Sequence, residues 1–306
     1  MKSRPPLLLV ATFLPALLLA GGCGSVVDNP SFPLSIGHAA EELDAMAAAP
    51  KPLDRPVVVV SGYLDPGIGS YFAARNLRRA TGARDDQVIW ISLFWCGDFE
   101  ACRERIIKAV DEAFPSADPH WTTEVDVVGH SMGGLAARYA ALPPGALSLP
   151  TAAGPTTAPA AYASDVGPAA ESPDTRPAEV PIAGRALRIH RLYTLSTPHQ
   201  GAVLADVPTL VSTQRSMRRG SDFIAKLNAA EPPHPFEVVA YTRVPDNIVG
   251  AEYAAPPGRT PIWVSAGLLE SAHGGIVLDP RVVADLARRL RGETPYATEP
   301  QAPLPN

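Results

Sequence analysis

Short runs of apolar residues alternate along this chain with segments whose apolar positions recur every three or four residues. Continuous apolar runs, such as the four valines at 57–60, are typical of strands buried on both faces of a parallel sheet. We therefore predict an α/β fold with a mostly parallel central sheet and helices on both faces. The predicted strands are 57–60, 87–93, 125–128, 188–195, 236–242 and 262–266, and the predicted helices are 71–81, 101–114, 132–142 and 280–291.

Proline and small residues delimit the predicted domain. The chain has 306 residues and 34 prolines, and we expect one catalytic domain at 53–294 followed by a proline-rich tail at 295–306. Residues 143–185 are rich in Ala, Pro, Thr and Ser and too poor in large apolar residues to form a core. We expect a disordered surface insertion there, with a substrate lid as the alternative. Residues 23–52, with a short helix possible at 39–49, are expected to act as a tether.

The N-terminus resembles an export signal. Lys2 and Arg4 precede an apolar run at 7–20, which is short for a membrane span, and small residues lead into Cys23. Residues 1–22 are therefore predicted to be a signal peptide. The segment 19–23 also resembles the bacterial lipoprotein signal, which implies lipidation of Cys23 and a membrane-anchored protein in the periplasm or at the cell surface. Plain secretion and an uncleaved anchor are the alternatives.

Composition and charge exclude several classes of function. The chain is 46% hydrophobic, enough for a large core, and carries a net charge of −5 without a basic run, so nucleic acid is not an expected partner. We expect a monomer. If Cys23 carries lipid, Cys96 and Cys102 remain as a local pair, which an oxidising compartment would join into a disulfide. Two cysteines without a companion histidine pair do not make a zinc site, so no metal is expected.

The most informative motif is Gly-His-Ser-Met-Gly at 129–133, which follows a predicted strand and precedes a predicted helix. A serine on a sharp strand-to-helix turn needs glycines two residues before and two after it, because side chains there would collide. Gly129 and Gly133 occupy those positions around Ser131. The sequence therefore predicts a nucleophile elbow with Ser131 as the nucleophile.

A nucleophilic serine needs a general base and an orienting carboxylate. His273 is the predicted base, because it follows the last predicted strand and so lies at the same sheet edge as Ser131. Asp246 is the predicted acid, in the loop that leaves the preceding strand; Asp279 and Asp222 are the alternatives, each at the start of a predicted helix. The resulting order Ser, Asp, His is the one that α/β hydrolases use.

Backbone N–H groups must donate hydrogen bonds to the oxyanion that develops on the attacked carbonyl. Met132, directly after the nucleophile, supplies one amide. The loop 61–67 after the first strand supplies the second, from Tyr63, with Leu64 as the alternative. This loop has neither a G-x-G-x-x-G nor a G-K-[ST] fingerprint, so a nucleotide is not expected.

Three further residues are predicted substrate contacts. Leu64 belongs to the first-strand loop, His130 neighbours the nucleophile, and His199 follows the end of a predicted strand. For His130, a side chain pointing away from the nucleophile is the alternative, and for His199 the alternative is structural support of its loop.

Together these segments resemble the bacterial lipase and esterase group of the α/β-hydrolase superfamily, including its lipase class 2 and PGAP1-like relatives. The resemblance covers most of 57–291 and also includes the segments 195–202 and 220–228. It implies cofactor-independent hydrolysis of a small-molecule or lipid carboxylic ester by Ser131, His273 and Asp246, beneath a small helical cap at 202–235. Acyl transfer, thioester hydrolysis and a non-catalytic binding lipoprotein remain alternatives. One departure is Ser61-Gly62, where many such lipases have His-Gly.

Overall fold

The computed structural model describes residues 29, 32–147, 184–209, 211–267, 270–298 and 303–305. The six predicted strands all occur, each within a few residues of its predicted bounds. The strands are β1 Val57–Val60, β2 Val88–Ile91, β3 Val125–His130, β4 Ile189–Leu195, β5 Glu237–Val244 and β6 Ile262–Ser265. The helices are α1 Ile36–Ala48, α2 Ile68–Thr81, α3 Phe99–Ala113, α4 Met132–Ala140, α5 Ser212–Ser216, α6 Asp222–Ala229, α7 Ala272–Gly275 and α8 Pro280–Leu290.

The strands form one parallel sheet in the order β2-β1-β3-β4-β5-β6. The chain adds β2 on one side of β1 and then crosses to place β3 on the other side. In open parallel sheets, ligands bind at the carboxyl edge where the strand order reverses in this way. The loops that follow β1 and β3 therefore meet at the natural position for a site.

Helices cover both faces of the sheet, which confirms the predicted architecture. On one face, α3, α4 and α6 form a core with apolar side chains of β1 and β3. On the other face, α1, α2 and α8 pack against the alternate side chains of the same strands. Because both faces are covered, the strands can be apolar throughout, and all four valines of β1 are buried.

The segments outside the sheet differ in part from their predicted roles. Within the predicted tether, α1 begins with Ser35 as its N-cap and packs on the domain, with Ala39 and Met46 buried. The start of the predicted tail also packs there, because the Tyr296 hydroxyl donates to Glu42 at 2.6 Å. Residues 1–28, including Cys23, and most of the predicted insertion lie outside the described residues. No helix of the described part is long and apolar enough to cross a membrane.

The two described cysteines depart from the predicted disulfide. Cys96 and Cys102 are both buried free cysteines, Cys96 two residues before the N-cap of α3 and Cys102 within its first turn. Their thiols are hydrogen-bonded rather than bonded covalently. The Cys102 thiol donates, which lowers the pKa of Cys96 and raises that of Cys102.

Candidate active site

Ser131 lies on a sharp turn between β3 and α4. Its backbone has φ 52° and ψ −124°, a conformation that costs strain for a residue with a side chain. Neighbouring backbone leaves no room beside it. A Cβ on Gly129 would lie 2.5 Å from the Gly134 Cα, and a Cβ on Gly133 would lie 2.5 Å from the Val60 carbonyl oxygen. The predicted need for glycine at these two positions follows directly from this packing.

The structure brings Ser131, His273 and Asp246 together from the ends of three strands. Nε2 of His273 is 3.0 Å from Oγ of Ser131, and its Nδ1 is 3.0 Å from Oδ2 of Asp246. Of the alternative acids, Asp279 caps α8, as its position suggested, and Asp222 begins α6. The imidazole of His273 can therefore take the proton from the hydroxyl of Ser131, while the carboxylate of Asp246 orients the ring.

Asp246 is held as a carboxylate. Its Oδ1 accepts hydrogen bonds from the amides of Ile248 and Val249, each at 3.0 Å. Burial by itself raises the pKa of Asp246, but His273 and the two amides outweigh it and keep the pKa below its ordinary value. The charge opposite Nδ1 of His273 is therefore present at neutral pH.

The structure corrects the prediction that His130 contacts substrate. Its side chain is buried, and its Nε2 is 3.0 Å from the carbonyl oxygen of His273. Burial, together with repulsion from His273, lowers the pKa of His130 to about 3. The ring is therefore neutral, and Nε2 must carry the proton in order to donate to a carbonyl. His130 connects the nucleophile to the segment that carries the base.

His199 is the second correction. It is fully buried, with Nδ1 3.1 Å from Nη1 of Arg138 and Nε2 3.0 Å from the hydroxyl of Thr194. With both ring nitrogens engaged, it cannot bind substrate. Its carbonyl accepts from the side chain of Asn228, which also accepts from Arg138. His199 thus supports its loop, the alternative role considered for it, and joins α4 to α6.

The loop after β1 lies directly against the nucleophile. A Cβ on Gly62 would come within 3.0 Å of Cβ of Ser131. Next to it, the amides of Tyr63 and Met132 donate no hydrogen bond to any described residue. Met132 is the first residue of α4, so its amide is one of the free donors at a helix start. The side chain of Leu64 is 60% exposed.

Sequence reasoning missed two buried residues that support these loops. The hydroxyl of Ser61 accepts from the Leu93 amide at 2.9 Å and so ties the β1 loop to the β2 loop. Arg243, near the end of β5, contacts the segment that carries His273. The only indication in the sequence was that Ser61 and Arg243 are polar residues at the ends of apolar strands. A polar side chain buried there needs a hydrogen-bonding or charged partner.

The described residues contain no cluster of three or more His, Cys, Asp or Glu side chains able to hold a metal ion.

Comparisons with known proteins bear on the fold. No protein-family model matches the chain, and no curated protein matches it in sequence. The mature form of the lipase BlEst2 from Bacillus licheniformis is similar in structure, with a TM-score of 0.50 and 15% identity over 79% of this chain and 94% of that one. Its propeptide form gives a TM-score of 0.49 at 15% identity, over 80% of this chain and 52% of that one.

The phospholipase PlaB from Legionella pneumophila, solved with thio-NAD, gives a TM-score of 0.40 and 10% identity over 66% of this chain and 44% of that one. At 15% identity, the likeness to mature BlEst2 concerns the fold alone. Six parallel strands in one sheet, flanked by helices and similar to that lipase, show that this chain has an α/β-hydrolase fold.

Proposed function

We propose that this protein is a serine hydrolase that cleaves carboxylic esters. The observation that carries the proposal is the pair of 3.0 Å contacts that join Ser131, His273 and Asp246 at a nucleophile elbow. In the proposed reaction, Oγ of Ser131 attacks the ester carbonyl carbon while Nε2 of His273 takes its proton. The amides of Met132 and Tyr63 stabilise the oxyanion.

His273 then returns this proton to the leaving alkoxide as the ester C–O bond breaks, which leaves an acyl-serine. A water molecule attacks the acyl carbon and gives its proton to His273. Collapse of the second tetrahedral intermediate releases the carboxylic acid, and His273 returns the proton to Ser131. No cofactor takes part in these steps.

An apolar rim around the site supports a lipid ester as substrate. Among the described residues, five exposed large hydrophobic side chains lie in the loops that leave β1 and β2 or in the first turns of α2, namely Leu64, Ile68, Tyr71, Phe72 and Trp95. Trp95, Ile68 and Leu64 are the most open, at 70%, 63% and 60% exposed. Exposed apolar side chains gathered at one edge are typical of sites that meet apolar ligands.

Turnover of acyl esters tests the proposal. We expect the purified full-length chain to release p-nitrophenol from acyl esters of increasing chain length, with turnover lowered by at least about 10⁴-fold in Ser131→Ala and His273→Ala. Ser70→Ala, a change at another buried serine, is the control. Transfer of the acyl group to an added alcohol or thiol in preference to water would indicate an acyltransferase. A folded wild type that neither turns over esters nor reacts with a fluorophosphonate would favour a binding protein.

The export and anchoring of the protein are also proposals. We propose that residues 1–22 are removed and that Cys23 carries the lipid that anchors the monomeric protein to a membrane. Mass spectrometry of the mature N-terminus would show a diacylglyceryl mass on Cys23 if this is right. A free N-terminus beyond Cys23 would indicate plain secretion.

A further inference from the structure

A buried arginine lies beneath the short helix that carries His273. Arg243 is the penultimate residue of β5, three positions before Asp246, and it is only 5% exposed. Its side chain leaves β5 and reaches the segment that follows β6, where α7 holds His273. One residue therefore joins the strand that leads to the acid with the helix that presents the base.

The guanidinium of Arg243 contacts both ends of α7. Its Nη1 donates to the carbonyl oxygen of Ser271, the N-cap residue of α7, at 3.1 Å. At the other end, a Cβ on Gly275 would overlap with the same nitrogen. A helix of four residues has almost no stability of its own, so its position depends on such contacts.

Charges around Arg243 are balanced. Its Nη2 pairs with the carboxylate of Glu270, and its Nε lies 3.0 Å from Oδ2 of Asp279. Asp279 also accepts two hydrogen bonds from the guanidinium of Arg281, at 3.0 and 2.8 Å. Without Arg243, Asp279 would keep the Arg281 pair, and the half-exposed Glu270 could turn to water. Loss of Arg243 therefore releases α7 without leaving a buried carboxylate unpaired.

We propose that Arg243 is a positioning residue that fixes α7, so that the ring of His273 meets Asp246 on one side and Ser131 on the other. This inference rests on the proposed function. Both contacts of the ring are 3.0 Å long, so a small rotation or shift of α7 lengthens at least one of them. A misplacement of about 1 Å at a reacting group costs on the order of 100-fold in rate.

Two variants disturb this contact from opposite sides. Arg243→Met removes the guanidinium. Gly275→Ala keeps it but places a methyl group against Nη1, and the helical backbone of Gly275, at φ −76°, accepts alanine without strain. Because the clash is with the end of a flexible side chain, the fold should tolerate the change. Arg185→Met is the matched control, at another buried arginine that pairs with an aspartate, Asp111, at 2.7 Å.

Two measurements on the full-length chain report on the position of His273, the proposed base. The first is the rate constant for labelling of Ser131 by a fluorophosphonate, which depends on activation of the serine and not on which ester is natural. The second is the downfield proton resonance of Nδ1 of His273 in its hydrogen bond with Asp246. Circular dichroism and thermal melting establish that each variant is folded at the assay temperature.

For Arg243→Met we expect labelling to slow by about 10- to 100-fold and the downfield resonance to broaden or disappear. Gly275→Ala should have a smaller effect of the same kind, and no further effect in the Arg243→Met background, because both changes act through one contact. Arg185→Met should change the labelling rate less than about twofold.

Labelling within about twofold of wild type in folded Arg243→Met, with the resonance retained, would overturn the inference. Independent effects of Arg243→Met and Gly275→Ala would overturn it as well. If the wild type is not labelled at all, the hydrolase proposal fails instead, and the His273 resonance alone then decides the role of Arg243.

Discussion

Replacement of Ser61 by alanine should loosen the loop that presents the Tyr63 amide. Ser61 is fully buried, and its Oγ accepts a hydrogen bond from the Leu93 amide at 2.9 Å. Its other side-chain contacts, to the carbonyls of Gly62 and Asp65, are both long at 3.4 Å. The substitution removes the acceptor and leaves the Leu93 N–H buried without a partner. We expect this to lower the free energy of unfolding by about 1–3 kcal/mol.

The same substitution should reduce turnover. Complete loss of one oxyanion donor costs about 10²–10³ in kcat, and a donor that is displaced rather than removed should cost on the order of tenfold. The KM for a soluble ester should change less than kcat, because the amide of Tyr63 meets the charge that develops only during the reaction. This effect would also show that Ser61 supports the loop that presents the Tyr63 amide.

Urea unfolding and turnover of a soluble p-nitrophenyl ester measure the two effects of Ser61→Ala. Ser70→Ala is the control: Ser70 is equally buried, but its Oγ makes only a 3.5 Å contact with the Gly67 carbonyl. That carbonyl keeps the bond from the Tyr71 amide at 2.8 Å, so the cost should stay below about 1 kcal/mol. Equal stability of the two variants, with kcat of Ser61→Ala within twofold of wild type, would refute the reasoning.

Three further predictions concern the site and its rim. The pKa of His130 is about 3 when folded against 6.5 ordinarily, so unfolding takes up a proton below pH 6.5, and stability is lost as the pH falls through that range. Between pH 6 and 5 the free energy of unfolding should fall by about 1 kcal/mol because of His130. In His130→Gln, urea unfolding should no longer show this part of the pH dependence. A pH dependence equal to that of wild type would contradict the prediction. Asp246→Asn should lower kcat/KM for a soluble ester by about 10³- to 10⁴-fold, and a loss below tenfold would argue against Asp246 as the orienting group. Trp95→Ser should slow hydrolysis of an emulsified triacylglycerol several-fold and leave that of p-nitrophenyl acetate unchanged, with Ile36→Ser as the control; equal loss on both substrates would count against a lipid-facing rim.

Local patterns in the sequence were enough for the sheet and for the positions of the three candidate residues. Apolar runs placed the strands because strands covered on both faces need no polar positions. The glycines around Ser131 placed the elbow because backbone contacts on either side of the turn exclude side chains. Since the carboxyl ends of parallel strands share one edge, Ser131, Asp246 and His273 were expected to approach one another.

Tertiary structure alone decided the roles of the buried polar residues. His130 and His199 looked like substrate contacts because they lie close in sequence to the nucleophile or to a strand end. In the fold, His130 contacts His273, which is 143 positions away, and His199 joins α4 to α6. The contacts by which Ser61 and Arg243 support their loops could not be predicted from the sequence for the same reason. A buried polar side chain is defined by the partner it finds across the fold, and no local period in the sequence records that partner.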